Sequence, residues 1–204
     1  NSEEIYLKKI VLTGGGTAGH ITPNIALFDG LKKAGYEIFY VGEKGGMEEE
    51  LIKREGIPFF GITAGKFRRD KSLKTMAKNL SDGFRVLKGV GQAKKILGEI
   101  RPDVVFSKGG FVSVPVVMAA HKLKIKVVCH ESDMTPGLAN KIALPHADKI
   151  CVSFPETINY VDREKAVLTG SPVRQSLFSG SREAGLKMCG FSGNKPVVMV
   201  MCGS

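Results

Sequence analysis

The residues with the greatest chemical potential sit in glycine- and proline-rich turns, each directly after a short apolar run. The first, Gly14-Gly15-Gly16-Thr17-Ala18-Gly19, satisfies G-x-G-x-x-G and continues into His20. Glycines at this spacing let backbone N–H groups approach phosphate oxygens where a helix begins. Two chemistries fit. A dinucleotide site would seat its pyrophosphate here and bind ribose through an acid after the second strand, where Glu43 stands. The alternative gives His20 a role of its own, since a cofactor pyrophosphate does not require an imidazole, whereas proton transfer to or from a hydroxyl does. Thr22-Pro23 is expected to open the helix, with proline in its first turn.

Three further turns follow the same grammar. Ser107-Lys108-Gly109-Gly110-Phe111 precedes a helical pattern at Val112 to Leu123. Two glycine turns at the ends of parallel strands point into one crevice, to which Lys108 adds a cation if it faces inward. Cys129-His130-Glu131-Ser132-Asp133 leads into Thr135-Pro136 and a helix over Leu138 to Ala143. His130, Glu131 and Asp133 suit a base, a ribose ligand or an orienting group, while Ser132, Asp133 or Thr135 could serve as the helix cap. Thr169-Gly170-Ser171-Pro172-Val173-Arg174 ends in an arginine suited to bidentate contact with phosphate.

The elements that hold these turns are visible as apolar runs at Lys9 to Thr13, Glu37 to Val41, Phe59 to Thr63, Asp103 to Ser107, Lys126 to Cys129, Lys149 to Val152 and Ala166 to Thr169. Helical patterns alternate with them, which predicts a doubly wound α/β fold with a parallel sheet. Residues 1–170 read as one domain and 171–195 as a polar linker. Pro196 to Met201 reads as a further strand, placing 196–204 at the start of a second domain, unless the run adds an edge strand to the first. On this reading the chain is part of a longer protein.

At 43% hydrophobic and 25% charged residues, the composition is that of a folded domain, and disorder is excluded. No run of 18 apolar residues is present, and charges occupy the N-terminal stretch where a signal peptide would be apolar, so a cytosolic location is expected. The cysteines 129, 151, 189 and 202 form no C-x-x-C pair and read as small hydrophobes; the scattered histidines offer no metal cluster. The net charge of +10 implies an acidic partner. It concentrates between Lys66 and Arg101, where eleven Lys or Arg face three acids. There Leu80, Phe84, Leu87 and Val90 make a helical stripe that suits either the sheet or an anionic membrane surface. The basic run lacks interleaved aromatics for base stacking, which argues against nucleic acid.

Taken in order, these turns resemble the MurG family, which adds N-acetylglucosamine to lipid I to give lipid II. The likeness is carried by the Gly14 to His20 turn, Pro102-Asp103-Val104-Val105, Gly109-Gly110-Phe111-Val112, His130-Glu131, Gly137-Leu138-Ala139-Asn140-Lys141, Gly170 to Arg174 and Gly203-Ser204. The resemblance implies a Rossmann-like N-terminal half of a GT-B glycosyltransferase, handling the acceptor, with UDP-N-acetylglucosamine held mainly by a second domain. It implies substrate contacts at Thr17, Ala18, Gly19, Gly109, Gly110, Asp133, Asn140, Arg174 and Ser204, and a catalytic role for His20, with Glu131 as rival base. Reaction would be an inverting displacement by the muramoyl C4 hydroxyl, with no cofactor and no obligatory metal, at the cytoplasmic side of the membrane as a peripheral enzyme. Leu80, Phe84, Leu87 and Val90 would be the membrane contacts. Asp133 stands where the family often has Asn, and an ionised carboxylate accepts but does not donate hydrogen bonds.

Overall fold

The computed structural model describes residues 7–65 and 73–200, with side chains in the helix that begins at Leu73 described from Gly83 onward. Seven strands form one wholly parallel sheet: β1 Lys8–Thr13, β2 Tyr36–Glu43, β3 Phe59–Ile62, β4 Val104–Ser107, β5 Lys126–Glu131, β6 Lys149–Val152 and β7 Ala166–Leu168. Their spatial order is β3-β2-β1-β4-β5-β6-β7, so the winding reverses between β1 and β4 and opens a crevice at the carboxyl ends of those two strands. The doubly wound fold is borne out, as are the seven runs between Lys9 and Thr169 read as its strands; residues 196–200 form no strand.

Residues within a strand alternate between two helical layers. Ile10 and Leu12 of β1 join Ile21 and Phe28 of α1 (Ala18–Lys33), Ile38 and Tyr40 of β2, and Ile52 of α2 (Met47–Arg54) in one core. Val11, between them, faces the opposite core, built on α3 (Leu73–Ile100), α4 (Ser113–Lys122) and α5 (Leu138–Ala143). Because both faces are covered, the strands are apolar throughout rather than alternating.

Two helices depart from expectation. Helix α1 begins at Ala18, not at Thr22, and carries Pro23 inside it. The early start is held by the His20 N–H donating to the Thr17 carbonyl at 3.1 Å and by the Thr22 hydroxyl donating to the Ala18 carbonyl at 3.0 Å. Pro23 has no N–H to offer the Gly19 carbonyl, so only that one rung of the ladder is missing.

Along α3 the buried stripe is Val86, Val90, Ala93, Leu97 and Ile100, not the stripe read from the largest side chains. Val90 is 6% exposed and packs in the core, which removes it from the membrane-contact set. Phe84 and Leu87, at 67% and 63%, point outward with Arg85 and Lys88. The side chain of Leu80 lies outside the described residues. Close approach helps set the phase: a side chain on Gly89 would stand 2.3 Å from the Thr63 carbonyl, so this side of α3 packs inward while Phe84 and Leu87 face out.

Beyond β7 the chain forms a 3₁₀ turn at Gln175–Ser179 and helix α6 (Arg182–Cys189), both without buried residues. Residues 196–200 pair with no strand of the sheet, so they supply no edge strand to it. Gly203 and Ser204 lie outside the described residues.

Candidate active site

A cavity of about 420 Å³ opens at the reversal between β1 and β4. Its wall includes Gly15, Gly16, Thr17 and His20 from the first turn, Gly110, Phe111 and Val112 from the second, and Glu131, Asp133, Leu138 and Asn140 from the third, with Glu43 at the end of β2. Thr17, Gly110, His20, Glu131, Asp133 and Asn140 are thus brought together. Ala18 and Gly19 form the first turn of α1 just behind the wall, and Gly109 backs onto Asn140, whose Oδ1 would be 3.0 Å from a side chain added there. Arg174 is exposed on the segment after β7 and is not part of this wall.

The two glycine turns touch backbone to backbone. Gly110 has φ +83°, and a Cβ on it would lie 2.4 Å from the Gly15 carbonyl oxygen and 3.3 Å from His20 Cδ2. Only glycine permits that approach, and the approach carries the His20 ring to the cavity edge.

At the N-terminus of α1, Thr17 is the N-cap in extended conformation, yet its side chain makes no cap bond and no acid occupies the first turn. Val112 and Gly137, the N-cap residues of α4 and α5, likewise make no side-chain cap bond, and both line the cavity. Helix N-termini of this kind offer N–H groups and positive dipole ends to an anion.

His20 is oriented by the main chain. Its Nδ1 lies 3.2 Å from the Lys108 carbonyl oxygen, which can only accept, so Nδ1 carries the hydrogen and Nε2 is the basic nitrogen. Burial, then the neighbouring Lys108 ammonium, hold the imidazole below the usual histidine value, so the ring is neutral at neutral pH.

Glu131 is differently committed. It is 3% exposed; Oε1 accepts from the Asp133 N–H at 2.9 Å, and Oε2 accepts from Asn140 Nδ2 at 2.7 Å and from the Gly137 N–H at 3.3 Å. Ser132, Asp133 and Thr135, the residues expected to cap α5, do not do so; Gly137 is the N-cap, and Glu131 holds the loop from below. We expect Glu131→Gln to destabilise the chain by about 1–3 kcal/mol, because the new amide turns a donor toward groups that are themselves donors. A denaturation midpoint matching wild type would show that these bonds contribute nothing.

The strand-end histidine His130 donates from Nε2 to the Gly170 carbonyl at 2.9 Å, and Ser153 and Ser171 hydroxyls pair at 2.7 Å, which pins the fourth turn against β5 and β6. Cys129 lies in the core with its thiol pushed up to about 12 by burial, in keeping with a small hydrophobe.

Three supporting residues carry no motif. Asn24 donates through Nδ2 to Tyr40 Oη at 3.0 Å and to the Thr13 carbonyl at 3.3 Å, and the Tyr40 hydroxyl donates to the Gly14 carbonyl at 2.6 Å. Glu48, fully buried in α2, accepts from the Glu43 N–H at 2.9 Å and packs under Gly15. A polar residue at a core phase of a helix, as Asn24 is between Ile21 and Phe28, is the signal that could have marked the first of them.

Residues 10–152 match the glycosyltransferase family 28 N-terminal domain. The chain belongs to that family. It is 61% identical over 198 residues to the UDP-N-acetylglucosamine–N-acetylmuramyl-(pentapeptide) pyrophosphoryl-undecaprenol N-acetylglucosamine transferase of Lachnospira eligens, covering 97% of this chain and 55% of that protein. The protein of the same description from Lachnoclostridium phytofermentans is 59% identical over the same length, with the same coverage. The crystal structure of Acinetobacter baumannii MurG superposes with a TM-score of 0.67 at 27% identity, covering 82% of this chain and 46% of that one. The resemblance to MurG read from the turns is borne out, as is the Rossmann-like fold expected of a GT-B half. The chain spans about half the length of the curated relatives it matches.

Proposed function

We propose that the protein containing this chain transfers N-acetylglucosamine from UDP-N-acetylglucosamine to the C4 hydroxyl of the muramoyl sugar of lipid I, and that residues 1–170 are its acceptor-side domain. Residues 171–195 would be the linker and 196–204 the first strand of the donor-binding domain, which brings Arg174 and Ser204 to the donor. The observation that carries this reading is His20, neutral, locked by Nδ1 to the Lys108 carbonyl, and set at the edge of a cavity beside an uncapped helix N-terminus.

In the proposed step Nε2 of His20 takes the proton of the acceptor hydroxyl as its oxygen attacks the anomeric carbon and UDP departs with inversion. Glu131 supports the loop and Asn140; with both its oxygens already accepting N–H groups, it is the weaker candidate for base. The open N–H groups at the start of α1 suit a diphosphate, and the carboxylates of Glu43 and Asp133 suit acceptance from sugar hydroxyls. The test is transfer of labelled N-acetylglucosamine from UDP-N-acetylglucosamine to a lipid I analogue by the full-length protein. Absence of transfer, together with thermal stabilisation by NADH and not by the sugar nucleotide, would sink the proposal.

Membrane attachment at the cytoplasmic face is proposed through Phe84 and Leu87, exposed among Arg85 and Lys88 on α3. No helix among the described residues is long and apolar enough to cross a membrane. Phe84→Ser with Leu87→Ser is expected to weaken binding to vesicles containing anionic lipid about tenfold or more, since burying two such side chains contributes roughly 1.5–3 kcal/mol each, with the melting temperature unchanged. Val90→Ser is expected to lower the melting temperature instead. Equal unfolding by both variants would place Phe84 and Leu87 in a core contact.

A further inference from the structure

We propose that Lys108, whose side chain lines no part of the cavity, is the positioning residue that keeps His20 in its proton-accepting form. The inference rests on the reading of His20 as the base. Lys108 follows β4 and acts on the ring in two ways. Its carbonyl accepts the Nδ1 hydrogen and fixes the tautomer. Its Nζ is buried, the residue being 1% exposed, and has no hydrogen-bond partner among the described residues. The stem is held in place by the first glycine turn, since a side chain on Gly14 would stand 3.2 Å from Lys108 Cβ.

A desolvated ammonium without a partner disfavours a second positive charge nearby, and the group that would acquire one is the His20 imidazole. The charged groups around that ring are Lys108 from the end of β4 and Glu131 and Asp133 from the end of β5, with Glu43 on the same cavity wall. Glu131 and Asp133 favour the protonated ring, but the charge of Glu131 is spread over three N–H donors and Asp133 is exposed to solvent. The buried cation is the largest single charged influence on His20; the bond from Nδ1 to the Lys108 carbonyl and the two carboxylates act the other way, and the ring stays below the usual histidine value. The same ammonium also disfavours charge on His130, whose Nδ1 is buried and has no hydrogen-bond partner among the described residues.

The test is a proton NMR titration of the histidine rings in wild type, K108M and K108R, with His20 assigned through H20Q. Methionine keeps the carbonyl and most of the stem but removes the charge. We expect the His20 midpoint to rise in K108M by more than those of His121 and His146, and to stay at the wild-type value in K108R. An unchanged or lowered His20 midpoint in a folded K108M overturns the proposal, as does a rise in K108R equal to that in K108M; K108Q replaces K108M if the latter fails to fold. In the full-length enzyme the acid limb of kcat/KM moves up with the midpoint, giving a several-fold loss near about pH 6 that is recovered above about pH 8. A shifted midpoint with no transfer activity in any form, wild type included, keeps the assignment of Lys108 and removes the transfer reading.

Discussion

Replacing His20 with alanine in the full-length protein is expected to lower turnover of sugar transfer by about 10²- to 10⁴-fold, the usual contribution of a positioned base. Affinity for UDP-N-acetylglucosamine is expected to change little. The expectation follows from the ring's two nitrogens: Nδ1 is committed to the Lys108 carbonyl, and Nε2 is left to act on a substrate hydroxyl. Because burial and Lys108 hold the ring below the usual histidine value, the active, neutral form persists to lower pH than for an exposed histidine. The acid limb of the wild-type pH–rate profile should accordingly lie below the ordinary histidine midpoint and be absent in H20A. Isothermal titration with the sugar nucleotide and steady-state kinetics on the same preparation separate the outcomes. Equal loss of binding and turnover would make His20 a binding residue.

The second large effect belongs to Gly110. G110A places a Cβ about where the Gly15 carbonyl oxygen already stands, at 2.4 Å, and does so at φ +83°. The left-handed backbone costs about 1–2 kcal/mol and the backbone clash adds to it, for an expected loss of about 3 kcal/mol or more in denaturant unfolding. Gly16 is the control: its φ is +84°, but no atom lies within 4 Å of an added Cβ, so G16A is expected to lose only about 1–2 kcal/mol. Comparable losses in the two variants would show that the contact between the turns contributes nothing. Since that contact sets the His20 ring at the cavity edge, G110A should also reduce transfer in whatever fraction stays folded.

Much of this site is legible before any coordinates. A parallel strand buried on both faces must be apolar along its whole length, so the β-branched runs stand out, and the polar or glycine-rich residues that end them fall at the carboxyl edge where α/β sites form. What is not legible depends on contacts between distant segments. Pro23 resembles a helix opener, but the Thr17 carbonyl and Thr22 hydroxyl secure an earlier start. The departure along α3 has a similar cause: Phe84 and Leu87 are the larger residues, yet close packing against Thr63 and Pro115 selects the side marked by Gly89 and Ala93. Glu48 looks like one of three acids in the first turn of α2, and only the sheet above it shows that it is buried beneath Gly15. Lys108 is noticed as a cation, but its burial behind the cavity instead of within it belongs to the packing of β4 against the first turn.

The hydrogen bond from His20 to a main-chain carbonyl has a consequence for how such an enzyme can vary. Every residue type presents that carbonyl, so no substitution at position 108 that preserves the backbone can delete the ring's anchor. The side chain at 108 is then free to change in charge over generations, adjusting the acidity at which the enzyme works while the ring keeps its aim. Where a carboxylate steadies a histidine, one side chain supplies both the anchor and the charge; here the anchor belongs to the main chain and the charge to the side chain.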